Sequence, residues 1–151
     1  MSRKRGVLPM QPKNSLLQAA EKWYGGPAVK EILARTLPRD GLFAWYEASR
    51  IQQLDGSFLA KYYVCTRAKL LVLSVSALQF ELRTYSLAAL QKMTARIPFS
   101  AGHRAVWPRT EFNCRFLVGS ESELVQVDFP ERDAELPGYF SIVELLLDHG
   151  G

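Results

Sequence analysis

The densest hydrophobic patterning in the chain runs from Phe58 to Tyr85, FLAKYYVCTRAKLLVLSVSALQFELRTY, and it predicts three consecutive antiparallel strands. Phe58, Tyr62, Tyr63, Val64, Thr66, Val72, Val75, Phe80 and Tyr85 suit a pleated, half-buried backbone, and neither Gly nor Pro interrupts them. From Leu78 the pattern alternates, with Leu78, Phe80 and Leu82 against Gln79, Glu81 and Arg83, which predicts one dry and one wet face. Leu70 to Val75 is apolar on both faces, so the middle strand should lie deepest. The tight connection before it is Thr66-Arg67-Ala68-Lys69.

Upstream the period changes to that of a helix. Asn14 and Ser15 suit an N-cap, and Leu16, Leu17, Ala20, Trp23 and Tyr24 follow at helical spacing until Gly25 and Gly26 stop them. Pro27 suits the first turn of a second helix with the stripe Val29, Ile32, Leu33 and Leu37, closed by Pro38 and Gly41. These stripes should pack on the sheet or on each other, with a partner's groove as the alternative. Leu42 to Gln52 reads as the first strand, and Leu54-Asp55-Gly56-Ser57 as its hairpin turn.

Downstream, Ser86 to Lys92 predicts a single helical turn. Met93, Ala95, Ile97 and Phe99 predict a fifth strand with Pro98 at an edge or end. Ser100 to Glu111 has neither period and reads as the longest irregular loop. Phe112, Cys114, Phe116 and Val118 predict a sixth strand, Ser120-Glu121-Ser122 a turn, and Leu124 to Phe129 a seventh. Pro130 to Pro137 reads as an acidic connection. Phe140, Val143, Leu146 and Leu147, flanked by Ile142 and Leu145, predict a last helix ending at Gly150-Gly151.

Composition adds bounds. With 151 residues, 48% of them hydrophobic, the chain is the size of one domain. No apolar run approaches the roughly 20 residues of a membrane-spanning helix. Pro9, Gln11, Pro12 and Lys13 stand where a signal peptide would place its apolar segment, so a cytoplasmic protein is expected, with attachment to a membrane surface left open. The formal charge of +4 is supplied entirely by Arg3, Lys4, Arg5 and Lys13, in a basic leader of residues 1–13 with no apolar period that reads as disordered. The neutral remainder is lopsided: nine bases against two acids from Lys61 to Arg115, then eight acids against Arg132 from Phe116 onward. A nucleic-acid-binding domain is normally basic overall, so the acidic half weighs against that partner. Cys65 and Cys114 sit in apolar strand patterns, either as reduced core thiols or as a disulfide between strands.

Seven strands with a helical turn after the fourth and an amphipathic helix after the seventh resemble the small bacterial pleckstrin-homology-like (PH-like) domains. Tyr63-Val64-Cys65-Thr66-Arg67-Ala68-Lys69-Leu70-Leu71-Val72-Leu73-Ser74 is similar to their hairpin, and Tyr85-Ser86-Leu87-Ala88-Ala89-Leu90-Gln91-Lys92-Met93 to their leucine turn. The resemblance covers about residues 42–149. It implies a seven-stranded antiparallel barrel of two near-orthogonal sheets capped by a C-terminal helix; with the two short helices that the apolar period places before it, the expected fold is α+β. The expected organisation is a leader over 1–13, a helical extension over 14–40 and the PH-like domain over 41–151.

Members of the wider superfamily that bind phosphoinositides collect Lys and Arg around the first hairpin. Here that turn holds Asp55 and no base, and Arg50 and Lys61 on the flanking strands read as ordinary solvated positions. The histidines are His103 and His149, and no phosphate loop, HExxH or GxSxG accompanies them, so the expectation is a non-enzymatic protein without cofactor or metal. His103, Arg104, Trp107 and Arg109 are the candidate partner-binding residues, because Trp and Arg are the types enriched at binding hot spots. The competing reading folds Trp107 back over a seam of the sheet. Arg3, Lys4, Arg5, Arg67 and Lys69 are the candidate contacts to an anionic surface. The expected function is therefore an interaction or assembly module for a protein partner or for itself, with anionic membrane as the alternative and nucleic acid third.

Overall fold

The apolar meander folds as strands because its side chains can be buried on both faces. In the computed structural model, which describes residues 10–23, 26–37, 42–52, 54, 58–76 and 78–150, β1 (Leu42–Gln52), β2 (Phe58–Thr66), β3 (Lys69–Val75) and β4 (Phe80–Ser86) form one antiparallel sheet in that order. β5 (Leu90–Arg96), β6 (Glu111–Val118) and β7 (Glu121–Gln126) form a second. Helices α1 (Met10–Ala20) and α2 (Gly26–Thr36) precede the sheets, and α3 (Leu136–Gly150) follows them.

The fold is thus α+β, with two sheets and helices at both ends. The strands do not close into a single barrel. A 3-10 turn at Leu87–Ala89 separates the sheets: Leu87 is buried and its N–H donates to Ala68 O, so the chain leaves the first sheet before β5 begins.

Alternation in β2 divides the interior. Tyr63 and Cys65 face an inner core shared by both sheets and α3, whereas Ala60, Tyr62 and Val64 face α1 and α2. The early helical stripes therefore pack on the outer face of the four-stranded sheet and on each other, except that Ile32 of the expected second stripe is exposed. Leu16, Ala20, Val29, Leu33 and Leu37 are buried against Leu71, Leu73 and Val75 there. Trp23 stacks on Tyr62 with ring centroids 3.9 Å apart, and Trp45 Nε1 donates to Ser15 Oγ at 2.8 Å. Each fully buried Leu or Val contributes about 1.5–3 kcal/mol, so this layer is an integral part of the fold. β3 is buried almost throughout, as its sequence demands.

Several boundaries differ from expectation. α1 begins at Met10, inside the segment expected to be a disordered leader, because Pro12 lies in the first helical turn, where its missing N–H has no intrahelical partner to lose. Residues 1–9 lie outside the described residues, as does Tyr24. Leu78 is exposed in the turn before β4, where Ser76 Oγ accepts from the Leu78 and Gln79 N–H groups. Tyr85, on the face expected to be wet, enters the inner core at the far end of its strand.

β5 starts at Leu90 and ends at Arg96, so Phe99 falls beyond it and is exposed. The hairpin between β6 and β7 turns at Gly119, whose φ of +64° suits glycine; β7 therefore starts three residues before Leu124 and leaves Val118 exposed. α3 begins at Leu136, with Pro137 in its first turn. Its buried face is Tyr139, Ile142 and Leu146, so Phe140 and Leu147 are displaced toward solvent.

Candidate functional site

The Ser100 to Glu111 stretch is ordered by its own backbone. Phe99 bridges Ala105, Ser100 N–H donates to Arg104 O, His103 N–H to Ser100 O, and Val106 N–H to Pro98 O. The expected irregular loop is instead a small hairpin closed by a tight turn. His103 holds a left-handed φ of 64°, a region in which His is enriched among residues other than glycine. The hairpin leads into a 3-10 turn, Trp107–Arg109, with Pro108 inside it. Directly after it, Thr110 Oγ1 is buried with no hydrogen-bond partner among the described residues.

This turn delivers Trp107 to α3. Its ring stands edge-on to Phe140, with centroids 6.0 Å apart and planes at 86°, and it remains 44% exposed. The first turns of α3 are positioned by Gly138, where an added Cβ would lie 2.3 Å from Trp45 O and 2.9 Å from Tyr46 Cβ. With α3 seated that closely on β1, Tyr139 enters the core and meets Phe129 edge-on at 5.0 Å, and Phe140 turns outward. A surface cleft of about 360 Å³ results, lined by Trp107, Pro108, Phe129, Asp133, Leu136 and Phe140. Trp107 forms one wall of this cleft.

The four sequence-derived partner residues are divided by the fold. His103 and Arg104 sit exposed at the hairpin tip, Trp107 walls the cleft, and Arg109 faces a different one of about 380 Å³ with Arg96, Ile97, Pro98 and Glu111. Phe129, Asp133, Leu136 and Phe140 were not anticipated. The apolar period places Phe140 in the buried stripe, and the rotation of α3 that buries Tyr139 instead makes it a surface group.

A second polar centre was also missed. Glu47, buried in β1, accepts from Arg50 Nε at 3.0 Å, Arg50 Nη2 at 2.6 Å and Tyr62 Oη at 3.0 Å, and its other oxygen lies 3.4 Å from Arg132 Nη2. Its backbone N–H donates to Glu135 Oε1 at 2.8 Å, and Arg132 pairs with Glu135 at 3.0 Å. Burial disfavours ionisation of Tyr62, and the Glu47 charge beside it adds to the upward shift of its hydroxyl. The cluster ties β1 and β2 to the approach to α3. The signal in the sequence was a lone Glu within an apolar strand.

The remaining candidates are dispersed. Arg50 is committed to Glu47, and Lys61 pairs with Asp128 at 3.2 Å beside the Tyr63 ring. Arg67 and Lys69 are exposed at the β2–β3 turn, which Thr66 Oγ1 holds by accepting from the Ala68 and Lys69 N–H groups. Arg3, Lys4 and Arg5 lie outside the described residues. Cys65 and Cys114 are free thiols in the inner core, each pushed up to about 12 by burial. Among the described residues no group of three or more His, Cys, Asp or Glu could hold a metal, and no helix is long and apolar enough to cross a membrane.

No family model matches the chain, and no curated protein or solved structure is significantly similar to it.

Proposed function

We propose that this chain is a PH-like module that recognises another protein through the cleft between the Trp107 turn and α3. Four strands, three strands and a C-terminal helix packed on their shared core support the PH-like reading. One observation carries the functional reading. A half-exposed Trp stands edge-on to a half-exposed Phe over an apolar cleft that nothing in the described chain fills. Aromatic anchors around an apolar pocket are the residue types that dominate binding energy at protein interfaces. The chemistry of the site is binding, since its only titratable lining group is Asp133.

The test is to identify proteins cross-linked to the full chain through a photoreactive group at position 108, then to repeat the capture with Phe140→Ala. A specific partner should be lost by at least about tenfold, the weight of one hot-spot side chain. Undiminished capture would remove this cleft from consideration.

A second reading rests on the opposite end of the first sheet. Ile51 and Leu59 face each other across β1 and β2, and Leu54 and Leu78 stand almost wholly exposed at two neighbouring turns. Such a fringe suits insertion into the boundary of a lipid bilayer. Sedimentation with neutral and anionic vesicles decides it: retention should fall when Leu54 and Leu78 are both changed to Ser, and absence of retention ends the idea.

A further inference from the structure

We infer that the occupant of the Trp107–Phe140 cleft is a peptide segment with one large apolar side chain next to Lys or Arg. This rests on the reading of the cleft as the recognition site and adds the chemistry of its partner. The volume of about 360 Å³ lies at the low end for ligand sites, so it suits a side chain or two better than a bulky cofactor.

Charge supplies the second half of the recognition. Asp133 lines the cleft, and its carboxylate has no ion-pair or hydrogen-bond partner among the described residues. Glu144, likewise unpartnered, lies one helical turn beyond Phe140 and therefore on the same flank of α3. The nearest base in sequence, Arg132, is already held between Glu47 and Glu135. Arg109 faces the separate cleft with Arg96 and Glu111. The one charged group that lines the cleft is thus acidic, and complementary charge on a partner would fix its register and suppress acidic competitors.

The experiment pans a random-peptide phage library against the immobilised full chain. Selected peptides are measured by fluorescence anisotropy, at low and high salt, against the parent chain and the Trp107→Ala, Phe140→Ala and Asp133→Lys variants, each checked for folding by circular dichroism. Enriched peptides should carry an aromatic or aliphatic anchor beside a base. Phe140→Ala should weaken them by tenfold or more, and salt by roughly three- to fivefold, the range of a rim ion pair. Panning against Asp133→Lys should switch the preference to acidic peptides.

Peptides that need Phe140 but show no basic bias and ignore Asp133→Lys overturn this inference and leave the recognition site standing. Peptides indifferent to both Trp107→Ala and Phe140→Ala, or no enrichment, overturn both. Self-association on light scattering that Trp107→Ala abolishes makes a second copy the occupant and also overturns the inference.

Discussion

The two helical layers on the first sheet are built differently. α1 and α2 cover its outer face with an aliphatic stripe, joined by the Trp23–Tyr62 stack and the Trp45–Ser15 hydrogen bond. α3 covers the inner face through a backbone-to-backbone approach at Gly138, a T-shaped aromatic group around Tyr139 and the hydrogen bond from the Glu47 N–H to Glu135 just before its first turn. A helix backbone seated directly on a strand backbone leaves less room for displacement than a helix held off the sheet by aliphatic side chains. The difference teaches where a surface site can be precise. Beside α3, whose position is fixed on several sides, Phe140 is held against Trp107; no exposed aromatic appears among the described residues of α1 and α2.

High pH should break this comparison most strongly. The inner layer contains Cys65 and Cys114, raised from 9.0 to about 12, and also Tyr46 and Tyr63, both pushed upward chiefly by burial. The folded state keeps these groups protonated while the unfolded chain releases protons. Stability is therefore fully present below pH 9 and lost as pH rises from about 9 to 12, at about 1.4 kcal/mol per pH unit for each thiol. The urea midpoint should stay level to pH 9 and then fall steeply. A level midpoint through pH 11 would contradict a dry inner core.

A sharper contrast comes from two glycines. Gly138→Ala places a Cβ 2.3 Å from Trp45 O, and Gly26→Ala one 2.3 Å from Glu21 O. Both are overpacked, but the first pries α3 from β1 and should cost about 3 kcal/mol of global stability. The second only separates α1 from α2 and should cost about 1–2 kcal/mol, appearing first as faster proteolysis within the N-terminal layer. Chemical unfolding with limited digestion checks both. Equal global losses would mean that the layers are equally constrained.

The smallest expected effect is at the charge centre. Glu47→Gln keeps the shape but removes the charge shared by Arg50, Arg132 and Tyr62, and should cost about 1 kcal/mol. A double-mutant cycle with Arg132→Ala should couple by no more than about 1 kcal/mol, because Arg132 is largely solvated.

Much of the architecture was readable in residue order. The Phe58 to Tyr85 meander, the two early helices, the sixth strand and the terminal helix all follow from apolar period and breakers. Element edges were less readable. The alternation of Leu78, Phe80 and Leu82 with Gln79, Glu81 and Arg83 carries no sign that the next residue on the polar side, Tyr85, turns inward; the first sheet meets the second at that end, and Tyr85 stacks on Phe116. Ser100 to Glu111 has no side-chain period because its hairpin is held by backbone groups, which periodicity does not report.

The site was half readable for a related reason. Trp107 stood out by type beside Pro108 and Arg109, but its partners come from Phe129, Asp133 and α3, segments separated from it by two strands.

The sequence alone determined which segments are strands and helices, since periods of 2 and 3.6 are local properties of the chain. It also determined that the net positive charge resides before Asn14. Only the tertiary structure decided which face of each element is inside. Seating Gly138 on Trp45 rotates α3 so that Tyr139 is buried and Phe140 is presented, and that choice depends on a backbone contact between residues more than ninety positions apart.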